Sequence, residues 1–318
     1  SGGHATRDES SSGAIYRIAP KGFKTVIPTL NLQSIDGQIE ALLSPEPNIR
    51  FLGFQALQKN GNKAYTAVIE LLNHKNPYLA ARAIWLLPYL GDAGIKKVQS
   101  LLKSKDAQYR LVAYRSLRRS GQNLIPHAKV LAKDKNAGVR RDVALSMRAY
   151  SAKQSNSVLL EVSKRYDGVD KNYVESIGLG AAGKEESFWS QLKNSMKMKD
   201  PLQWSSAFAR ITWRLGTSKA LPDLKERVSA NELSMSDRLF AIESIAFINH
   251  PDAPDALFSL GQSLKDPKIK QSITQWILKR SLTAWNQYNL QERLKVSGVY
   301  DPEKIKLTES TNSVSSVL

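Results

Sequence analysis

The sequence contains no cysteine, and only four of its 318 residues are histidine. Without cysteine the chain cannot form a disulfide, a thiolate metal site, a cysteine nucleophile or a covalent haem attachment. No two histidines stand at metal-ligand spacing, and no Ser-His-Asp order, carboxylate pair or nucleophile elbow is present. No apolar run approaches the roughly 18 residues of a membrane-spanning helix. We therefore predict no catalytic residue, no metal and no cofactor in this chain.

Acidic residues are scarce in one part of the sequence. The whole chain has 46 Lys and Arg against 29 Asp and Glu, a net charge of +17. Residues 47–160 carry 20 basic against 5 acidic residues, whereas residues 161–318 carry 22 against 19. Such a concentration of positive charge attracts nucleic acid, anionic lipid, acidic glycan or acidic protein. The alternative is a solvated face that only keeps the protein soluble.

Glycine recurs at a fixed step. Gly61, Gly91 and Gly121 are 30 residues apart, and Ser151 takes the next position. Each glycine follows a run of helical periodicity, so we predict that each glycine ends a helix as a C′ residue in the left-handed conformation. Apolar or small residues repeat at the same step. The three rows are Ile49, Leu79, Tyr109 and Val139; Gly53, Ala83, Ala113 and Val143; and Leu57, Leu87, Leu117 and Met147.

We predict that each repeat contains two helices: a first helix, which ends at the recurring glycine, and a second helix, which follows it. Its apolar rows include Val68, Val98 and Ala128 as well as Leu71, Leu101 and Leu131. Asn76, Asp106 and Asn136 directly precede the first helices, where their side chains can cap free amides. With steps of 32 or 33 residues the pattern continues to about residue 295. We predict a lead-in helix at 36–43 and about eight helix pairs in an all-α, right-handed superhelical solenoid, since one short pair cannot bury its apolar face alone.

These units resemble HEAT repeats of the short bacterial kind. An Asn/Asp-Pro entry precedes three of the first helices, which are rich in Ala and Leu and often end in Gly. The entries are Asn76–Pro77, Asp200–Pro201 and Asp266–Pro267, and an Arg a few residues into the first helix is found at Arg50, Arg110, Arg140 and Arg238. The resemblance implies a HEAT/ARM-like fold over about 250 residues and says little about function, because solenoids host many functions.

The two ends depart from the repeat. Residues 12–22, SGAIYRIAPKG, alternate in apolar character and close with Pro20–Lys21–Gly22, which predicts a strand ending in a turn. The string GAIYRIAPKG resembles the closing strand of β-propellers of the sorbosone or glucose dehydrogenase type. This resemblance implies a multidomain bacterial extracytoplasmic protein, periplasmic or secreted, with a propeller before the repeats and a haem domain after them.

We accordingly expect residues 1–30 to end an upstream domain, residues 31–295 to form the solenoid and residues 296–318 to be a polar linker rich in Ser and Thr. The chain starts SGGHATRD, without Met or a leader, which is typical of an excised or processed piece.

The string GLGAAGK at 178–184 matches G-x-G-x-x-G and nearly matches the phosphate-binding P-loop. However, the preceding KNYVESI has helical periodicity, and Glu185 stands where a P-loop requires Ser or Thr. We therefore predict that these glycines serve helix packing and a helix end. The six Trp residues mostly have helical spacing, so we expect them in the core.

Lysines provide the candidate binding surface. Lys75, Lys105 and Lys135 each stand one residue before a predicted cap, so stacked repeats would place them in a row that suits an extended polyanion. Five further candidates continue this row or lie on the second helices, which usually line the concave face of a solenoid. They are Lys103, Lys133, Lys96, Lys97 and Lys129. The alternative is that these lysines share a repeat position by chance, because the chain is rich in Lys. We call Arg50, Arg110 and Arg140 the Arg row and expect it to tie adjacent repeats together through carbonyls or carboxylates.

We predict a non-catalytic interaction or spacer module of a larger bacterial protein, presenting a basic curved surface to a partner. That partner would be an adjacent domain of the same chain, another protein or an acidic polymer. One alternative is a DNA-binding or alkyl-base-repair solenoid, although no catalytic motif of that class is found. Another is a region of a dehydrogenase whose oxidoreductase activity lies outside this chain.

Overall fold

The computed structural model describes residues 18–24 and 29–297, and every regular element in these ranges is a helix. The residues form two compact units, divided between Asn60 and Gly61. The α-helices are α1 (Ile35–Leu43), α2 (Pro47–Asn60), α3 (Tyr65–Glu70), α4 (Pro77–Leu86), α5 (Asp92–Leu101), α6 (Ala107–Arg119), α7 (Ile125–Leu131), α8 (Ala137–Ser146), α9 (Ala152–Ser163), α10 (Lys171–Gly180), α11 (Glu185–Ser195), α12 (Ser206–Leu215), α13 (Leu221–Ser229), α14 (Met235–Ala246), α15 (Asp252–Ser263), α16 (Pro267–Ser281) and α17 (Leu290–Ser297).

The predicted all-α repeat fold is therefore confirmed for the described part of the chain. The lead-in helix is α1, and the sixteen helices that follow occupy the positions predicted for eight pairs. The turn predicted at Pro20–Gly22 is present, with the amide of Phe23 donating to the carbonyl of Pro20 over 3.0 Å. Most of the predicted strand, and residues 298–318 of the predicted linker, lie outside the described residues. None of the described helices is long and apolar enough to cross a membrane.

The first unit consists of α1 packed against α2. Ser34 caps α1 by accepting from the amide of Gly37, which satisfies one of the free donors at the helix start. The buried Gln38 donates to the carbonyl of Leu32 over 2.8 Å and accepts from the Asn60 amide over 2.7 Å. Gly53 allows the close approach, because a Cβ there would lie 2.4 Å from the backbone nitrogen of Leu42.

The second unit is a two-layer stack of helices. The even-numbered helices α4 to α16 contact one another in sequence and form one layer, and odd-numbered helices from α7 onward pack beside them. The core lies between the layers. The predicted rows supply it: Ala83, Ala113 and Val143 are buried, as are Leu87, Leu117 and Met147. Because each pair covers the apolar side of the next, the short helices are stable only as a stack.

The predicted helix-ending glycines all have positive φ angles, which glycine adopts without steric cost: +56° at Gly61, +97° at Gly91 and +76° at Gly121. Gly91 differs from the prediction, because its ψ of −174° is not that of a left-handed helix and it stands directly before α5. Ser151, at the next position of the 30-residue step, has an ordinary φ of −62°. It begins α9 as its N-cap, and its amide donates to the Gln154 side chain over 3.3 Å. Serine is a favoured N-cap residue because its hydroxyl can satisfy a free amide at the helix start.

The tryptophans are only partly in the core. Trp189, Trp204 and Trp285 are buried, whereas Trp85, Trp213 and Trp276 are partly exposed. Three later layers are joined by an aromatic row instead, in which Phe247 lies 5.6 Å from Trp213 and 5.5 Å from Trp276 between ring centroids.

Candidate interaction surface

The turns that connect consecutive pairs are held by the predicted caps. Asn76 accepts from the amide of Tyr78 over 2.9 Å, and Asp106 accepts from Gln108 over 2.7 Å. Asn136 accepts from Val139 over 3.2 Å. These bonds fix the starts of α4, α6 and α8, and so they fix the backbone from which the lysines just before each cap project.

The Arg row ties these turns together, as predicted. Arg110 donates to the carbonyls of Ser104 and Lys105 over 2.8 and 3.0 Å. The same guanidinium binds both carboxylate oxygens of Asp134 in the next turn at 2.7 Å. Arg140 repeats the pattern on the carbonyls of Asp134 and Lys135, at 2.7 and 3.1 Å. The carbonyl oxygens of the lysine-bearing turns are therefore already covered by positive charge.

Burial and pairing act in opposite directions on Asp134. Burial favours its neutral form, but hydrogen bonds from Arg110 and the Asn136 amide outweigh burial and leave the pKa of Asp134 below its ordinary value. Its side chain is only 5% exposed. Asp134 is therefore a paired anion that belongs to the framework of the turn.

The eight candidate lysines differ from the arginines. Seven are exposed and Lys97 is half-buried. Within the described part of the chain, no carboxylate lies within 4.0 Å of any of their ammonium groups. Lys133 is in electrostatic range of Glu161, but Glu161 is paired with Lys164 at 3.1 Å and Arg165 at 3.3 Å. The lysine charge is thus available to a partner.

The structure brings five of these lysines together around two neighbouring grooves. Lys103, Lys105, Lys133 and Lys135 line the first groove, which has a volume of about 770 Å³. Lys96 and Lys103 line the second, of about 420 Å³. Lys75, Lys97 and Lys129 line neither of them. The predicted surface is therefore concentrated between the α5–α6 and α7–α8 turns.

The two grooves share Leu102, Lys103, Val130 and Leu131, and we call them together the basic channel. Leu102 and Leu131 are nearly buried and form an apolar floor, whereas Val130 is 71% exposed. His127 lines the second groove, and burial lowers its pKa, so the imidazole is neutral at pH 7. Asp134 and Arg110 at the side of the first groove are already paired.

Sequence reasoning missed Val130 and a short motif that identifies the channel. Lys-x-Lys followed by Asp or Asn occurs at 103–106 and 133–136, in consecutive repeats. It occurs again at 197–200, without a second copy in the neighbouring repeats. Only the first two copies can face each other, because repeats next to each other in sequence stack on each other.

The GLGAAGK string is structural, as predicted. Gly178 and Gly180 lie within α10, and Gly183 follows the helix with a φ of +75°. The Lys184 ammonium donates to the carbonyls of Met147 and Tyr150 and to the Ser155 hydroxyl, at 2.7 to 3.0 Å. A lysine held by three protein oxygens is not free for phosphate.

The histidines do not form a metal centre in the part of the chain that the structure describes. No group of three His, Asp or Glu side chains there could hold a metal ion. His74 accepts from the amide of Asn76 over 3.0 Å, and His250 lies 3.5 Å from Asp252. His4 lies outside the described residues.

Comparisons with known proteins support the fold and leave the partner open. No curated protein sequence matches the chain. Two engineered proteins, both solved by the Northeast Structural Genomics Consortium, are similar in structure at 15% and 13% identity. The first match covers 82% of this chain and 84% of the other, with a TM-score of 0.38; the second covers 79% and 97%, with a TM-score of 0.23. These scores are too low to carry an argument. Residues 65–148, which include α3 to α8 and the whole basic channel, match the family model of HEAT repeats.

Proposed function

We propose that this chain is a non-catalytic protein-interaction module whose basic turns bind an acidic segment of a partner protein. HEAT repeats generally mediate protein interactions, and the matched segment contains all eight candidate lysines. The observation that carries the proposal is that the arginines and the candidate lysines have different roles. Arg110 and Arg115 form ion pairs between repeats, whereas the eight candidate lysines have no carboxylate partner among the described residues and seven of them are exposed.

Local electrostatics support an anionic partner. The N-termini of α6 and α8 carry the positive ends of their helix dipoles at the two lysine-bearing turns. The turn carbonyls, which would repel an anion, are bonded to Arg110 and Arg140. Two of the five carboxylates of residues 47–160, those of Asp134 and Asp142, form ion pairs with arginines. An acidic segment would therefore meet little negative charge on this edge.

Binding of fluorescent poly-L-glutamate, followed by anisotropy at several salt concentrations, tests the proposal. We expect binding at low ionic strength that weakens as salt rises, because exposed charges are screened. The variant K75E/K105E/K135E should bind at least tenfold more weakly. The control K197E/K199E/K265E makes the same change in net charge on exposed lysines of comparable turns and should stay within about twofold of the parent.

Two outcomes contradict the proposal. One is absence of binding at low salt, and the other is an equal loss in both triple variants, which would mean unspecific attraction by net charge. A duplex DNA of similar length and charge serves as competitor. Displacement of poly-L-glutamate by a much lower concentration of DNA would favour the nucleic-acid alternative.

The dehydrogenase-like propeller upstream and the extracytoplasmic location stay predictions from the resemblance of residues 13–22. The complete open reading frame tests them, because a signal peptide and propeller sequence would have to precede residue 1.

A further inference from the structure

The basic channel combines charge with an apolar floor, which a site for phosphate or carboxylate alone does not require. Leu102 and Leu131 form the floor beneath Lys103, which both grooves share. Val130 stands among them on α7 with 71% of its surface exposed. Contact of the aliphatic Val130 side chain with water is unfavourable. The free energy falls when an apolar group covers it, even next to four lysines.

The arrangement of charge around this floor is two-sided. Lys103 and Lys105 stand on the turn before α6, and Lys133 and Lys135 stand on the turn before α8. Lys96 extends the positive charge along the second groove. A ligand that lies in the channel therefore meets Val130 together with ammonium groups from both turns, and no unpaired carboxylate among the lining residues.

We propose that the basic channel recognises a short linear peptide in which an aliphatic side chain is flanked on both sides by acidic residues. The aliphatic group would cover Val130 between Leu102 and Leu131, and the flanking carboxylates would pair with the lysines of the two turns. This inference rests on the proposed function, because it specifies the acidic partner. Charge complementarity and the apolar floor favour a peptide over a nucleic acid, since no Phe, Tyr or Trp on which a base could stack lines either groove and the imidazole of His127 is half-buried.

This mode of binding predicts two separable contributions to the binding free energy of the peptide. The carboxylates provide attraction that is sensitive to salt and tolerant of sequence. The aliphatic side chain provides contact that is insensitive to salt and depends on Val130, with a limit near the free energy of burying one valine, about 1.5 kcal/mol or roughly tenfold in affinity.

A double-mutant cycle with two fluorescent heptapeptides measures the second contribution. One peptide has leucine between three acidic residues on each side, and the other has serine in place of the leucine. The protein is compared with its V130S variant, whose fold should be unaffected because Val130 is exposed; matching thermal unfolding curves check this. We expect the leucine peptide to bind the parent roughly three- to tenfold more tightly than the serine peptide. In V130S that preference should disappear.

The outcomes separate this inference from the proposed function. If both peptides bind equally and V130S changes neither, while K103E/K105E still abolishes binding and K197E/K199E does not, the acidic partner stands and the aliphatic specificity is wrong. If neither peptide binds at low salt, both proposals fail. A salt-insensitive leucine preference that vanishes in V130S supports the inference and cannot arise from charge alone.

Discussion

At the scale of single residues, arginine and lysine have different roles in these repeats. Arg110 reaches two carbonyls of its own turn and both carboxylate oxygens of Asp134 in the next turn. A guanidinium can make such bonds because its donors form a planar fork, whereas a lysine ammonium is a hydrated point charge on a flexible stem. The arginine role could be predicted from the repeat position alone. Which lysines share a groove could not, because side chains one residue from a cap leave the turn in different directions.

Substitution of Asp134 by asparagine should destabilise the protein at neutral pH. The pair is largely buried, so we expect D134N to lower the free energy of unfolding by about 2–3 kcal/mol, because asparagine carries no charge and its single amide oxygen replaces two carboxylate acceptors. The measurement is urea denaturation followed by circular dichroism. The D106N variant is the control, since asparagine caps helices as well as aspartate does, and it should change stability by less than about 0.5 kcal/mol.

The ion pair between Arg110 and Asp134 predicts that the free energy of unfolding depends on pH. The pKa of Asp134 in the folded protein lies below its ordinary value, so its stabilising effect is complete above the unfolded pKa of about 3.9 and is lost as pH falls through the folded pKa. The difference between parent and D134N should therefore shrink as the pH is lowered from 7 towards 3. An unchanged difference would mean that the ionised carboxylate is not what stabilises the turn.

At the scale of helices, glycine sets how closely neighbouring repeats approach. A Cβ on Gly180 of α10 would lie 2.2 Å from the carbonyl oxygen of Ala144 in α8. One on Gly178 would meet the side chain of Arg214 in α12 at 2.6 Å. The first obstacle is backbone and cannot move without displacing a helix, whereas the second is a flexible side chain. The sequence predicted that these glycines serve packing, but only the structure names the atoms that they face.

G180A should therefore be more destabilising than G178A. In a free helix, alanine is more favourable than glycine by about 1 kcal/mol. Here we expect G180A to destabilise the protein by roughly 1–3 kcal/mol, because overpacking against a backbone outweighs propensity. G178A should cost less, since Arg214 can shift. Thermal melting of the two variants tests this order, and a stabilised G180A would refute the close contact.

At the scale of the whole molecule, the second unit is a stack in which each layer contacts mainly its neighbours. Inner layers such as α8 and α10 bury both sides, whereas α17 has layers on one side only among the described residues. In such quasi-one-dimensional proteins stability is close to a sum of repeat and interface terms. The basic channel lies on inner layers, α5 to α8, so its turns are held from both directions.

Hydrogen exchange should reveal this gradient. We expect amides in α6, α8 and α10 to exchange more slowly than those in α16 and α17 at the same pH, because terminal layers open without unfolding the rest. Mass spectrometry of peptic fragments measures it. Equal protection in all helices would indicate a single cooperative unit and contradict the layered description.

The sequence by itself determined the helices, their pairing and their caps. A recurring glycine, an Asn, Asp or Ser before most first helices and apolar rows at one step are local signals, and each acts through bonds or contacts within a few residues or with the adjoining repeat. Gly91 shows the limit, since its positive φ was predicted and its ψ of −174°, which is not that of a left-handed helix, was not. Only the tertiary structure decided that Lys103, Lys105, Lys133 and Lys135 line one groove together with the exposed Val130. The direction and exposure of a surface side chain depend on how two layers are set against each other, and that arrangement is fixed by the sum of packing contacts in the stack, which no single motif contains.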